Sequence, residues 1–475
     1  MKKITLISLC LMQFTISAQD THYWTQAFGT KSMLMGGAVV GGVRDNSAVY
    51  YNPGALGFNP HNDLSITADA YQVDRLTFKN GAGQDQHLKS TTYHTMPLII
   101  SGLVKLTKSN RHSFGYCVLS KDAFSMKTIA RVDDFRNILN DSYSPGDEDY
   151  VSNFTMRSSL SDMSAGIAYA YKVSDRFSIG LTNMGGYRDY QSEWLRVTRA
   201  IPTDTAAFLQ NVATFDRSYS VKSAVVNTFF KLGLAWNFPR WKFGLTATSP
   251  SIRIYSDGKV ISDVTATNID YFNAGVLISW TANDYEKKIK TQYKTPFSVG
   301  FGTEYNHDEK TIIAFSCEWF APVKKYNMLV PQNNIYLRPA NINYISADSA
   351  LTISETKNSV FNFAIGFQQK LTEKTSASIG FRTNHTYSKK SALTDLNLTY
   401  TNWNLYHFTI GVTQKRKESD ISIGINYGMG RKKNVTQWLN IQNVSQANGL
   451  QGELEKGNIA FNSLSVVIGY TKYLK

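Results

Sequence analysis

The sequence predicts an all-β protein, a transmembrane antiparallel β-barrel of about 14 strands with the N-terminal residues plugging its lumen. Three observations lead there: strict two-residue alternation along most of the chain, connections that are alternately short and long, and an export signal at the start.

The export signal comes first in the chain. Met1-Lys2-Lys3 is a short basic region, Ile4 to Phe14 is mostly apolar, and Ile16-Ser17-Ala18 precedes Gln19 as a cleavage site. Residues 1–18 therefore read as a signal peptide, and Leu9 is too large to precede a lipidated Cys10. After this segment no window approaches the ~18 apolar residues a membrane helix needs. With a mean hydropathy of −0.27, the chain is not a helical membrane protein. Only Cys117 and Cys317 follow the signal, so no disulfide framework is built. Aromatic residues make up 13%, with 27 Tyr and 26 Phe, as a wall with aromatic girdles requires. A net charge of +14 on an exported chain favours anionic lipid head groups over nucleic acid.

From Leu64 onward apolar residues fall on alternate positions. In Ser161–Val173, Met163, Ala165, Ile167, Tyr169, Tyr171 and Val173 share one face, and Asp162, Ser164, Gly166, Ala168, Ala170 and Lys172 share the other. Strands are expected at 64–73, 91–106, 111–121, 161–173, 175–190, 219–238 and 240–256, then at 294–306, 310–321, 358–371, 375–388, 403–416, 419–430 and 460–474. Their connections alternate short and long, so tight turns fall on one rim and long loops on the other. Phe272 to Trp280 also alternates and is assigned to a hairpin within the 256–294 outer loop, leaving 64–475 as the barrel. Trp236, Phe238 and Trp241 flank Pro239 in a short turn, as an aromatic girdle on the periplasmic rim; Tyr187, Tyr190, Trp194, Trp319 and Phe320 would mark the opposite rim. Glycines recur between two apolar residues, as at Gly115, Gly180, Gly233, Gly244, Gly300, Gly366, Gly380, Gly411, Gly424 and Gly469. Gly weakens a strand, so something must approach that face closely, or the sheet bends there.

Residues 19–63 precede the first strand, and their natural place is inside the lumen. Within them, Gly36–Phe58 is Gly-rich, then polar at Arg44-Asp45-Asn46-Ser47, then aromatic at Tyr50-Tyr51, and it turns at Asn52-Pro53-Gly54. Pro53 fixes its own φ and pushes Asn52 to an extended conformation, while Gly54 is free to take positive φ. Spacing alone leaves an ordinary surface loop open.

Gly36-Gly37-Ala38 followed by Asp45-Asn46-Ser47-Ala48-Val49-Tyr50-Tyr51-Asn52-Pro53 resembles the N-terminal hatch of the outer-membrane long-chain fatty acid transporter family (FadL type), which includes the toluene and xylene channels. Phe243-Gly244-Leu245 leading to Ser249-Pro250, and Thr295-Pro296-Phe297-Ser298-Val299-Gly300-Phe301-Gly302, look like the family's internal strands. The family usually has Asn-Pro-Ala-Gly-Leu where this chain has Asn52-Pro53-Gly54-Ala55-Leu56. The resemblance implies a fourteen-strand barrel with an N-terminal hatch. It also implies passive transport of hydrophobic or amphipathic compounds, such as long-chain fatty acids, with sideways exit into the bilayer at a kink in the third strand. Tyr23, Trp24, Phe28, Met33, Met35, Tyr50 and Tyr51 are the candidate ligand-binding residues, and Asn52, Pro53 and Gly54 form the hatch turn.

The remaining constellations add little. Basic clusters at Lys287-Lys288-Lys290, Lys324-Lys325, Lys389-Lys390 and Arg431-Lys432-Lys433 are solvated loop charges, contacts for lipopolysaccharide and outer-membrane lipid, or attractors of a ligand carboxylate. The eight His residues lack metal spacing; no catalytic residue, metal or cofactor is expected, and the barrel is expected to be a monomer. The alternatives are a non-transporting barrel that serves as a secretion-system adaptor or surface-binding protein, and an open hydrophilic porin.

Overall fold

The computed structural model describes residues 21–43, 45–59, 62–105, 111–139, 144–203, 211–271, 275–340, 344–388 and 401–474. The signal-peptide reading of 1–18 and the pair Lys389-Lys390 lie outside the described residues. Alternation produces strands β1 (Asn62–Lys79), β2 (Leu88–Lys105), β3 (His112–Arg136), β4 (Glu148–Ser174), β5 (Phe177–Pro202), β6 (Ala213–Asn237) and β7 (Trp241–Thr248). Each pairs antiparallel with the next. β8 (Ile252–Ile269) and β9 (Ile278–Ile289) follow as a hairpin, then β10 (Ser298–Asn306) and β11 (Thr311–Phe320). An outer excursion carries β12 (Val323–Leu329), the two-residue β13 (Leu337–Arg338) and β14 (Ile353–Lys357). The chain returns through β15 (Val360–Lys370), β16 (Thr375–Asn384), β17 (Leu405–Lys415), β18 (Ser419–Thr436) and β19 (Lys456–Leu474).

β19 pairs along β1 from Asn62↔Leu474 to Lys79↔Asn458, and β7 pairs directly with β10. The closed wall is therefore β1–β7, β10, β11 and β15–β19, fourteen strands. β8 and β9 stand outside this circuit, with β8 continuing upward along β6 from Thr228↔Ile252 to Thr214↔Thr267. The strand expected at 240–256 is interrupted at Ser249-Pro250, where proline has no N–H for the ladder. Of the expected Phe272–Trp280 strand, only Ile278 onward is in β9, and residues 272–274 lie outside the described set.

The faces of β4 show what the wall is built for. On its lower half Met163, Ile167, Tyr169 and Val173 are exposed, while Asp162, Ser164, Ala168 and Ala170 are buried. Ten tilted strand residues give an outward apolar band about 25 Å tall, the thickness of a barrel's lipid-facing belt. Above Asp162 the polarity inverts. Tyr150, Phe154, Met156 and Leu160 point inward and are buried, and Arg157, Ser159 and Ser161 point outward. The strands thus continue beyond the membrane into water, around an interior apolar cluster that also takes in Leu76, Phe78, Met126 and Tyr219.

This inversion corrects two expectations. Much of 121–161 and 190–219 is strand rather than loop, because β3 to β6 run on for 25 to 27 residues. Of the outer-rim aromatics, Tyr187 and Trp319 face outward, but Tyr190 and Phe320 are buried and Trp194 packs on the inner cluster. Period two decides it: positions 190 and 194 fall on the opposite face from 187, and 320 opposite 319.

Candidate functional site

The glycine rows of the wall meet the N-terminal segment 21–59. A side chain at Gly115 would strike Val49; at Gly180 and Gly233, the Asn52–Gly54 turn; at Gly244, Val40; at Gly366 and Gly380, Met35 and Gly36; at Gly411 and Gly424, Leu34; at Gly469, Thr30. Gly300 alone of the ten meets only wall residues, Thr246 first among them. The segment thus meets inward-facing glycines on β3, β5, β6, β7 and β15 to β19. The absence of Cβ atoms is what lets backbone approach backbone here.

Polar bonds fix the segment in register. Asn52 Nδ2 donates to Val40 O at 2.9 Å and to Leu234 O of β6 at 3.0 Å, while its Oδ1 accepts from Gly54 N and caps the turn Pro53–Phe58. Arg382 on β16 donates to the carbonyls of Trp24 and Thr25, and Asn384 accepts from the Tyr23 and Trp24 amides. Asp45 accepts from the amides of Lys31, Ser32 and Ser47, and Lys31 pairs with Asp420 at 2.5 Å. On the short-turn side a cavity of about 490 Å³ opens, lined by Lys31, Gly42, Phe58, Lys242, Lys374 and Lys415 among others.

The seven candidate residues separate into three groups. Trp24, Tyr50 and Tyr51 share one small cavity of about 20 Å³ with Lys231, Glu318 and Arg382, room for about one water. Phe28, Met33 and Met35 are buried in packing against the wall and against Tyr50. Tyr23 belongs to a higher layer, stacked on Phe320 at 4.3 Å and tilted against Tyr387 at 4.8 Å.

That layer holds residues the sequence did not single out as a group. Arg188, inward on β5, lies 4.0 Å from the Tyr293 ring centroid, and Lys357 Nζ, on β14, lies 3.8 Å from the same ring and 4.6 Å from Tyr387. Cation–π contact offsets part of the desolvation of both charges. Arg188 Nη1 donates to Asp162 at 3.0 Å, but its Nη2 has no hydrogen-bond partner among the described residues. Lys357 Nζ has none either; it sits 3.6 Å from Glu355, which also accepts from Tyr326. Burial pushes the Lys357 ammonium down to about 8, against the opposing pull of Glu355. Two buried cations thus share one tyrosine ring, each with a donor atom that has no hydrogen-bond partner among the described residues, and such donors suit the oxygens of an anionic group.

Arg188 lies within the strand expected at 175–190 with nothing to set it apart, and Lys357 sits in a stretch expected to be loop. The usable signal was alternation in Ile353-Ser354-Glu355-Thr356-Lys357, which puts apolar, acidic and basic residues on one face.

The wall also has a break beside this layer. β2 and β3 pair only from Ile99↔Leu119 down to Lys105↔Ser113. Above that, β2 continues against β1, and β3 bulges between Ser120 and Asp122 and continues against β4. Thr92 Oγ1 to Ser125 O and Lys127 N to Ser90 Oγ bridge the break through side chains, and Pro97 in β2 has no N–H to give.

Comparison with solved structures shows the same fold in several channels. The toluene transporter TodX of Pseudomonas putida superposes with a TM-score of 0.60 at 15% identity, over 94% of this chain and 99% of that one. A FadL homologue of Pseudomonas aeruginosa gives 0.53 at 13%, over 97% and 100%. The toluene transporter TbuX of Ralstonia pickettii gives 0.53 at 12%, over 95% and 99%. These are proteins of the kind that the N-terminal motif resembles. No family model matches the sequence, and no curated protein does.

Proposed function

We propose that this chain is an outer-membrane channel for an amphiphile with an apolar tail and one carboxylate, a long-chain fatty acid or a molecule like it. The observation that carries the reading is the Arg188–Lys357 pair, buried over Tyr293 with donor atoms unfilled among the described residues, in a barrel whose outer interior is lined by large apolar side chains. The tail lodges among the inward residues of β3 to β6, and the carboxylate replaces water on the two cations. The N-terminal segment acts as the hatch: it closes the straight path to the short-turn rim, so cargo leaves sideways. The break between β2 and β3 is the exit, since only side chains bridge it and the bilayer interior receives apolar cargo readily.

Binding of a fluorescent long-chain fatty acid to the barrel in nanodiscs tests this, with toluene as a neutral competitor. Lys357→Met removes one charge-assisted contact, so affinity should fall roughly ten- to hundredfold. Because Lys357 loses its proton as pH rises through about 8, affinity in the native chain should drop above that pH, and Lys357→Met should abolish the drop. Saturable binding of toluene with none of the fatty acid would move the reading to neutral hydrocarbons.

A further inference from the structure

A second discontinuity lies elsewhere in the wall. Below it, β7 and β10 are paired up to Thr248↔Ser298; above it, β8 and β9 are paired from Gly258↔Ile289. Between these levels, residues 249–257 and 290–297 run side by side without a ladder. Their contacts pass through side chains: Ser251 N donates to Thr295 Oγ1 at 3.0 Å, Thr295 N to Ser251 Oγ at 3.0 Å, and Ser251 Oγ to Tyr293 O at 3.3 Å. Arg253 Nη1 donates to Thr291 O at 2.8 Å, and Thr291 N to Ser256 Oγ at 3.1 Å. Pro250 and Pro296, one on each lip, lack the N–H a ladder would need.

The two sides of this seam differ in chemistry. Outside, Ile252, Ile254 and Tyr255 are 58%, 66% and 62% exposed and Phe297 is 40% exposed, a largely apolar surface that the exposed Arg253 and Lys294 interrupt. Inside, the lip carries Tyr293, the ring on which Arg188 and Lys357 both stack. The same lip is also tied inward. Gln292 N donates to Met328 O, and Lys294 N donates to the Tyr326 hydroxyl, which itself bonds Glu355 beside Lys357. One chain of hydrogen bonds and ring contacts therefore joins the cation seat to the lip.

We propose that this seam is a second lateral port, distinct from the β2–β3 break, joining the Arg188–Lys357 seat to the outer leaflet of the membrane. It rests on the channel reading above. An amphiphile already dissolved in the outer leaflet enters here: its carboxylate competes with Glu355 for Lys357, Glu355 and Tyr326 let go, and the lip loosens where only side-chain bonds resist. Cargo from water uses the loops above; cargo from lipid uses the seam.

The test locks each opening with a reversible disulfide, in a Cys117→Ala/Cys317→Ala background. Ser251→Cys/Thr295→Cys closes the seam and Thr92→Cys/Ser125→Cys closes the β2–β3 break. Cells carrying each barrel receive a fluorescent long-chain fatty acid delivered from vesicles that fuse with the outer membrane, and uptake is followed oxidised and after dithiothreitol. The expected result is severalfold slower uptake when the seam is locked, full recovery on reduction, and unchanged equilibrium binding of the acid added from water. Undiminished uptake with the seam fully cross-linked, while the β2–β3 lock still stops it, would overturn the port and leave the channel standing. Uptake no greater than in cells without the barrel would overturn the channel reading and the port with it. Recovery on reduction excludes misfolding as the cause of any loss.

Discussion

The lower and upper halves of β4 are one continuous strand with opposite rules. Below Asp162 the inward side chains are small, and close backbone contact with the N-terminal segment fills the interior; above it they are large, and their own bulk fills it. Outward, the lower half is apolar and the upper half polar. The difference teaches that inward and outward faces are set by separate solvents. Lipid demands apolar residues outside only within its own thickness, while the interior is shaped by what it must hold at each height.

Four substitutions break or sharpen this comparison. Gly244→Leu should have the largest effect, since its side chain would collide with Val40 backbone and the segment cannot seat. The expected readouts are ion conductance in planar bilayers and proteolysis of residues 21–59. Ile167→Arg, outward in the lower half, should cost about 2–4 kcal/mol of barrel stability by urea titration in lipid, as a charge facing hydrocarbon does. Asn52→Ala loses two donated bonds and the turn cap; about 1–3 kcal/mol should be lost in docking of the segment, read as faster hydrogen exchange at Val40 and Gly54. Ser159→Arg, on the same strand and the same face as Ile167 but above the inversion, should change stability by less than about 0.5 kcal/mol. Equal costs at 159 and 167 would erase the boundary.

Legibility in the sequence followed the same division. Wall strands could be read wherever outward apolar residues alternate with small ones, and the glycine rows announced a close neighbour before its identity was known. The outer halves of β3 to β6 were read as loops because the pattern sought was apolar-out, and in water it becomes apolar-in. Tyr190 and Phe320 stand close to outward aromatics in the sequence, but parity puts them on the inner face. The Arg188–Lys357 seat was hidden for a different reason. Its members come from β5, the 290–297 segment and β14, and only the tertiary path of the outer excursion brings them over one tyrosine ring.

The pairing of β19 with β1 has a consequence for biogenesis. Chain ends that zip together enclose whatever stands between them, and residues 21–59 are attached to the first strand and contact the last through Thr30 and Gly469. A sheet that closes between β1 and β19 finds, in residues 21–59, a surface already fitted to its glycine rows. Deleting that segment is therefore expected to slow refolding of the barrel into lipid, because curvature and the last register would form without it.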